Sequence, residues 1–417
     1  MKVRGLQINH FRGIDSLTIN FDEKINVIFG VNGSGKSAIL NCLAILLSRL
    51  TSGIKSSAKT GGRLYGENDI NNRFKYTDNE IEIFFEDNEY KWNLSKTRAG
   101  RAREESSKLS DIKKIMEIVQ ARLSGDDNAS VPMAVYYPVN RAVLSSPLRI
   151  RGKHKFDQMA AYQDALTGAQ SSFRVFFEWF REREDLENEQ YRLNRNVMPD
   201  GQLESVRRAI PNFLPGFSNL RIRRQPLRMV VKKGNSELLI DQLSDGEKCT
   251  LALVGDLARR LALANPSLDD PLLSEAVVLI DEIDLHLHPD WQRKVIPALT
   301  ETFPNCQFIL TTHSPQIIGE VRSDCIWKLR TDDNITSVQH DLGYGLDSSL
   351  ILSTVMDAPE RTKKIAALLD KLFKHIDDGQ LKDAREVKDN IYKDIGENIP
   401  ELTKAEVLIH RKEMLGK

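Results

Sequence analysis

Net charge is the first thing this sequence lacks. Lys plus Arg number 59 and Asp plus Glu number 59 in 417 residues, so the formal charge is +0. No global field draws such a chain to DNA or to an anionic membrane, and any contact of that kind has to be a local patch. Cysteine is scarce: Cys42, Cys249, Cys306 and Cys325 are widely scattered and form no C-x-x-C pair, which suits reduced thiols in a cytosolic protein. No run reaches the roughly 18 consecutive apolar residues of a membrane span. The N-terminal MKVRGLQINHFRG lacks the apolar core of a signal peptide. A cytoplasmic location is therefore expected. What is present is 41% hydrophobic content, enough for one large domain or two ordinary ones with a real core.

The most informative stretch is INVIFGVNGSGKSAILNCLAILL, from Ile25. A β-type run, Ile25 to Phe29, leads into Gly30-Val31-Asn32-Gly33-Ser34-Gly35-Lys36-Ser37, and Ala38 opens a stretch with apolar residues at helical spacing. This is G-x-x-x-x-G-K-S in its strand–loop–helix setting, a P-loop. Glycines let the backbone approach phosphates, and amides at the helix start point at anionic oxygens. Lys36 is the expected ligand of the β- and γ-phosphates of ATP, and the Ser37 hydroxyl that of Mg²⁺.

A second stretch, LIDEIDLHLHPD, holds acids and histidines together. Ala276 to Ile280 is a continuous apolar run fit for a central parallel strand. Asp281 and Glu282 stand at its C-terminal end, where ligands of open α/β sheets bind. Beside a P-loop, Asp281 suits a Mg²⁺ ligand and Glu282 the group that polarises an attacking water. His286 and His288 also admit a zinc reading, but no Cys or third His is close in sequence.

Together these motifs resemble the ABC-type ATPases of the SMC, Rad50 and overcoming-lysogenization-defect group. DEIDLHLHP resembles their Walker B and D-loop, DQLSDGEKCTL (Asp241 to Leu251) their signature motif, and FILTTHSPQII (Phe308 to Ile318) their switch-histidine strand. The order along the chain is also the family's. The resemblance implies two heads joined head to tail around two ATP molecules. Ser244, Gly246 and Glu247 would then face the ATP of the partner head, His313 would sense the γ-phosphate, and Asp284 would link the two sites through the D-loop. Ser-Asp-Gly-Glu also satisfies an ordinary helix cap. INHFRGI resembles the family's opening strand and turn, where Arg12 contacts nucleotide or the neighbouring helical lobe, or is simply a surface arginine. No Q-loop glutamine is found: MAVYYPVNRA, from Met133, offers Asn140 and Arg141 instead.

The fold class expected is α/β, a P-loop NTPase ABC-type head with a helical insertion and an α-helical C-terminal tail. Residues 1–95 form the first part of the head, 96–215 a mostly helical insertion or lid, 216–345 the second part, and 346–417 a helical tail for partner docking. The insertion is too short for coiled-coil arms and carries no zinc hook. The tail shows neither the strand-borne Glu nor the later D-x-D of a Toprim nuclease, so no nuclease site is expected here. A head without arms or Toprim resembles the Septu-type anti-phage ATPases (PtuA), with relatives in retrons. That implies a homodimer or larger oligomer and a separate HNH nuclease partner. RIRRQPLRMVVKKGNSELLI reads as two β runs and carries Arg221, Arg223, Arg224, Arg228, Lys232 and Lys233. It is either a nucleic-acid contact or a charge-guarded edge strand. The competing function is a DNA-repair clamp of the RecF or SMC kind that binds DNA directly. A transporter ATPase is disfavoured by the long insertion, and a nuclease acting alone by the missing acidic metal site.

Overall fold

The computed structural model describes the chain except residues 56–60, 103–104, 140–155, 169–172, 197, 333–334, 359–360, 397–398 and 416–417. Asn140 and Arg141 lie outside the described residues. Two compact units are present, Met1–Asp347 and Ser348–Lys417.

The first unit is built on two sheets. An antiparallel sheet of order β2-β1-β4-β5 comprises β1 (Lys2–Phe11), β2 (Ile14–Asn20), β4 (Tyr76–Phe85) and β5 (Asn88–Thr97). In β4, YTDNEIEIFF, every second residue is buried, as a strand with one face in the core requires. The central sheet has the order β13-β12-β3-β11-β10-β6. Its strands are β3 (Ile25–Gly30), β6 (Met133–Tyr137), β10 (Ala276–Ile280), β11 (Gln307–Thr311), β12 (Ile326–Asp332) and β13 (Ile335–His340). All neighbours are parallel except β12 and β13. All five residues of β6, β10 and β11 are buried, which fits their unbroken apolar character. The buried Gln307 side chain ties the two sheets together: it exchanges bonds of 2.7 Å with the Val3 amide and carbonyl and donates to the Asp22 carbonyl.

Helix α1 (Lys36–Lys55) packs at the centre of this unit with most of its residues buried. It is long and apolar enough to cross a membrane by length and composition, and its burial is that of a core helix. The 96–215 stretch supplies α2 (Ser110–Gly125), α3 (Phe173–Leu193) and α4 (Gly201–Phe213), and also the edge strand β6. Helix α5 (Asp245–Ala264) is buried throughout from Thr250 to Ala264. Helices α6 (Pro289–Thr302) and α7 (Pro315–Gly319) follow β10 and β11.

The basic run before α5 forms three strands, not two: β7 (Phe217–Arg224), β8 (Leu227–Lys233) and β9 (Ser236–Leu239), an antiparallel meander. Gln225-Pro226 turns the chain between β7 and β8, since proline has no amide for a ladder.

The second unit is helical. After the short α8 (Ser348–Leu350) come α9 (Lys363–Asp377), α10 (Leu381–Ile395) and α11 (Pro400–Leu415). Their own core includes Leu372, Ile376, Ala384, Ile391, Leu402 and Ile409. Gly379, at φ 73°, makes the turn from α9 to α10.

Candidate functional site

The C-terminal ends of β3, β11 and β10 lie side by side, and the sequence motifs meet there. The loop between β3 and α1 is shaped by its glycines. A Cβ on Gly30 would stand 2.6 Å from the Leu329 carbonyl oxygen of β12. Gly33 and Gly35, at φ 82° and 102°, adopt a conformation that L side chains avoid. A Cβ on Gly35 would also press on the Ile14 side chain at 3.3 Å, so the β1–β2 turn backs the loop. Val31, Asn32 and Gly33 are exposed, whereas Ser34 and Ala38 are buried. The Ser34 hydroxyl is buried and has no hydrogen-bond partner among the described residues. Lys36 is 6% exposed and donates to the carbonyls of Gly30 and Val31 at 3.0 Å each. Burial pushes its ammonium below the ordinary lysine value, while Asp281, Glu282 and Asp284 pull it back up. The lysine and the three acids therefore share one electrostatic environment. Ser37 is exposed at the start of α1.

Asp281 is 2% exposed and accepts from the Thr311 hydroxyl at 2.5 Å; its amide donates to the Tyr137 carbonyl at 2.9 Å. Glu282 follows at φ 48°, a left-handed conformation costly for a residue with a Cβ. Its amide donates to the Thr311 hydroxyl oxygen at 2.7 Å, so one threonine on β11 fixes both acids. Asp284 accepts from the Thr312 hydroxyl at 2.6 Å and from the His313 amide at 3.3 Å. Gln292 donates to the Leu287 carbonyl and accepts from Ser314, a second tie between the two loops. His313 is half-buried. Burial, then Lys36, lowers its imidazole below the ordinary value against the pull of Asp284, Glu282 and Asp281. His286 and His288 are exposed, and His288 caps α6.

The Ser-Asp-Gly-Glu stretch begins α5 at Asp245. Ser244 is the N-cap, and its amide and hydroxyl donate to Glu247 at 2.9 Å each, a capping box. Lys233 also reaches Glu247, at 2.6 Å. Burial acts to raise the Glu247 carboxyl, but Lys233 and Ser244 hold it below the ordinary value. Gly246 abuts the D-loop backbone at His286.

Arg12, at φ 51°, lies against Asp69 with a bond of 2.9 Å and over the Phe11 ring, on the turn that backs the P-loop. The basic meander is largely paired within the chain. Arg221 and Arg223 share Glu237, and Arg224 binds Glu184 and Asp185. Sequence reasoning passed over Thr311 and Thr312, although both stand in TTHSP immediately before His313. It also missed Asn41, one turn beyond Ser37, which donates to the Tyr136 hydroxyl at 3.2 Å and so joins α1 to β6.

A family model described as AAA domain matches residues 5–210. A second, described as AAA domain, putative AbiEii toxin, Type IV TA system, matches residues 145–319. The retron Ec83 probable ATPase of Escherichia coli is 31% identical over 421 residues, covering 87% of this chain and 77% of that protein. The retron Vc95 probable ATPase of Vibrio cholerae serotype O1 biovar El Tor is 30% identical over 455 residues, covering 93% and 86%. The Septu protein PtuA of Bacillus thuringiensis is 25% identical over 324 residues, covering 76% and 72%. Among solved structures, an SMC head bound to the C-winged helix domain of ScpA aligns at 19% identity with a TM-score of 0.48, over 81% of this chain and 98% of that one.

Proposed function

The chain belongs to the AAA-domain ATPase family of the retron probable ATPases, and from that premise we propose that it is the ATP-binding and ATP-hydrolysing subunit of an anti-phage defence assembly. Its heads pair head to tail around ATP and control a separate nuclease of the HNH kind. It works in the cytoplasm. The observation that carries this reading is the meeting of Lys36, Asp281, Glu282, Asp284 and His313 at one end of the central sheet.

The loop fits a triphosphate. Its glycines leave room for phosphate oxygens against the backbone, and the buried Ser34 hydroxyl has donor capacity to spare. The amides of residues 33–38 and Lys36 bind the β- and γ-phosphates. Ser37 and Asp281 are the residues that would hold Mg²⁺, which supplies charge neutralisation across those phosphates when bound. Glu282, with its amide pinned by Thr311, orients the attacking water and draws on its proton. Burial and Lys36 hold the His313 imidazole below its ordinary value in the nucleotide-free chain, and in either protonation state the ring offers an N–H to the γ-phosphate. Asp284, gripping Thr312 and the His313 amide, carries the state of that histidine into the D-loop.

Ser244 and Gly246 act across the head–head interface. The α5 N-terminus, ordered by the capping box, offers its positive end to the γ-phosphate held by the partner head. Hydrolysis then serves as a slow switch between closed and open pairs.

The test is a tagged pull-down from the native flanking DNA, with Lys36→Ala and Glu282→Gln variants purified in parallel. The expected result is a small nuclease co-purifying in fixed ratio, no ATP binding by Lys36→Ala, and ATP-dependent dimers of Glu282→Gln that hydrolyse about 10²-fold more slowly or worse. A chain that purifies alone and retains DNA at moderate salt would replace this reading with that of a direct DNA clamp.

A further inference from the structure

The edge strand β6 reaches both segments assigned to Mg²⁺, through two consecutive residues. Tyr136 and Tyr137 stand opposite Leu279 and Ile280 of β10, and strand alternation sends their side chains to opposite faces of the sheet. The Tyr137 side chain goes to α5, where its hydroxyl donates to Asp256 at 3.1 Å. Its carbonyl accepts from the Asp281 amide at 2.9 Å. The Tyr136 side chain goes to α1, where its hydroxyl accepts from Asn41 Nδ2 at 3.2 Å. The same nitrogen donates to the Ser37 carbonyl at 3.0 Å. One strand end therefore holds Asp281 through the backbone, and the turn that carries Ser37 through a side-chain relay.

The relay is itself fixed. Arg63 donates to the Leu166 carbonyl at 2.9 Å and to Asn41 Oδ1 at 3.4 Å. A guanidinium can only donate, so it claims the oxygen of the Asn41 amide and leaves the nitrogen to Ser37 and Tyr136. The Tyr136 amide donates to the Ala165 carbonyl at 2.7 Å, and a Cβ on Gly168 would stand 3.3 Å from the Tyr136 ring. Burial, then the charge of Asp281, push the Tyr136 hydroxyl up, so it stays a neutral phenol. A phenylalanine would fill the same space. What the hydroxyl adds is the bond to Asn41.

We propose that Tyr136, acting through Asn41, is a positioning residue for Mg²⁺ at the nucleotide site, setting the place of Ser37 against Asp281. The proposal rests on the reading of this site as one for ATP and Mg²⁺. Ser37 and Asp281 lie on different elements, α1 and the end of β10, and β6 is bonded to both. Mg²⁺ demands near-ideal octahedral geometry, so its affinity is sensitive to the spacing of the residues that hold it. The loop glycines and Lys36 do not depend on the relay. Loss of the phenol hydroxyl should therefore weaken metal binding and spare the binding of nucleotide alone.

The test is a titration of the full chain with a fluorescent ATP analogue, in EDTA and over a range of Mg²⁺ concentrations. Tyr136→Phe and Asn41→Ala are compared with the unaltered chain. Both variants should bind the analogue in EDTA as the unaltered chain does. The Mg²⁺ concentration that gives half of the metal-dependent change in binding should rise about tenfold. The double variant should be no worse than Asn41→Ala, since both changes cut one relay. In turnover assays, kcat should recover at high Mg²⁺. An unchanged Mg²⁺ midpoint in Tyr136→Phe overturns the proposal. So does an equal weakening with and without metal, which would make the relay a support of the fold alone. Asn41→Ala carries the test if Tyr136→Phe fails to fold. An unaltered chain that binds no analogue under either condition would overturn the reading of the site, and this proposal with it.

Discussion

A Cβ added to Gly246 would stand 2.3 Å from the carbonyl oxygen of His286. The glycine at the start of α5 is thus required within its own chain, by contact with the D-loop, whatever it does across an interface. Gly246→Ala has to push the D-loop away from α5. A melting-temperature drop corresponding to about 1–3 kcal/mol is expected, with ATPase activity reduced at least tenfold. Unchanged melting and turnover would show that the D-loop yields without consequence.

Thr312 and Asp284 give a second prediction. The Thr312 hydroxyl is fully buried; it donates to Asp284 and accepts from the Ser314 amide at 2.9 Å. Thr312→Val removes both bonds with little change of shape. The expected cost is about 1–3 kcal/mol in denaturant unfolding. The expected kinetic signature is a lower kcat with KM for ATP little changed, because the phosphate cradle is untouched.

Asp256 on α5, buried and accepting from Arg259 at 2.6 Å, Arg260 at 2.7 Å and the Tyr137 hydroxyl at 3.1 Å, predicts how stability depends on acid. Burial alone would raise this carboxyl, but Arg260 and Arg259 hold it far below the ordinary value. A carboxyl depressed in the folded state contributes stability that is present above its unfolded value, about 3.9, and lost as pH falls below it. Asp256→Asn should lower stability at pH 7 by about 3–5 kcal/mol, since it strands two buried guanidiniums. It should also flatten the fall in melting temperature from about pH 5 to pH 3. An equally steep fall in the variant would place the acid sensitivity elsewhere.

The basic meander yields a prediction about nucleic acid. Arg221, Arg223, Arg224 and Lys233 already have acidic partners in the chain. The isolated protein should therefore bind duplex DNA no tighter than about 1 μM at physiological salt, within the non-specific range. Arg228→Ala with Lys232→Ala should leave the salt slope unchanged in anisotropy titrations. Nanomolar binding with a slope that falls by about two ions in that variant would make the meander a nucleic-acid surface.

The parts of the site legible in the sequence are those where local geometry leaves few options. Gly30, Gly33 and Gly35 mark a loop that only glycines can trace at those positions, and AVVLI before Asp281 is fit for a central strand buried on both faces. Ser244 with Glu247 announced a helix start by a short-range rule. What escaped reading depends on contacts between distant segments. Thr311 fixing Asp281 and Glu282 needs β10 and β11 in register, with Ile280 opposite Leu310. Asp256, Arg259 and Arg260 fall at i, i+3 and i+4, the spacing of a solvated helix face. Only the packing of α5 shows that this face is inside. The apolar runs on both sides, TLALVG and LALAN, were the available hint.

The helix that carries Lys36 and Ser37 is also the helix around which the first unit's core closes. On the proposed function, ATP binding and folding are therefore linked equilibria in this unit. Any core substitution that shifts α1 alters the apparent affinity for ATP, and ATP at about 100 times its Kd adds about 2.7 kcal/mol to the stability of the fold. Nucleotide concentration is then a folding variable, and a chain weakened in its core survives or fails according to the ATP around it.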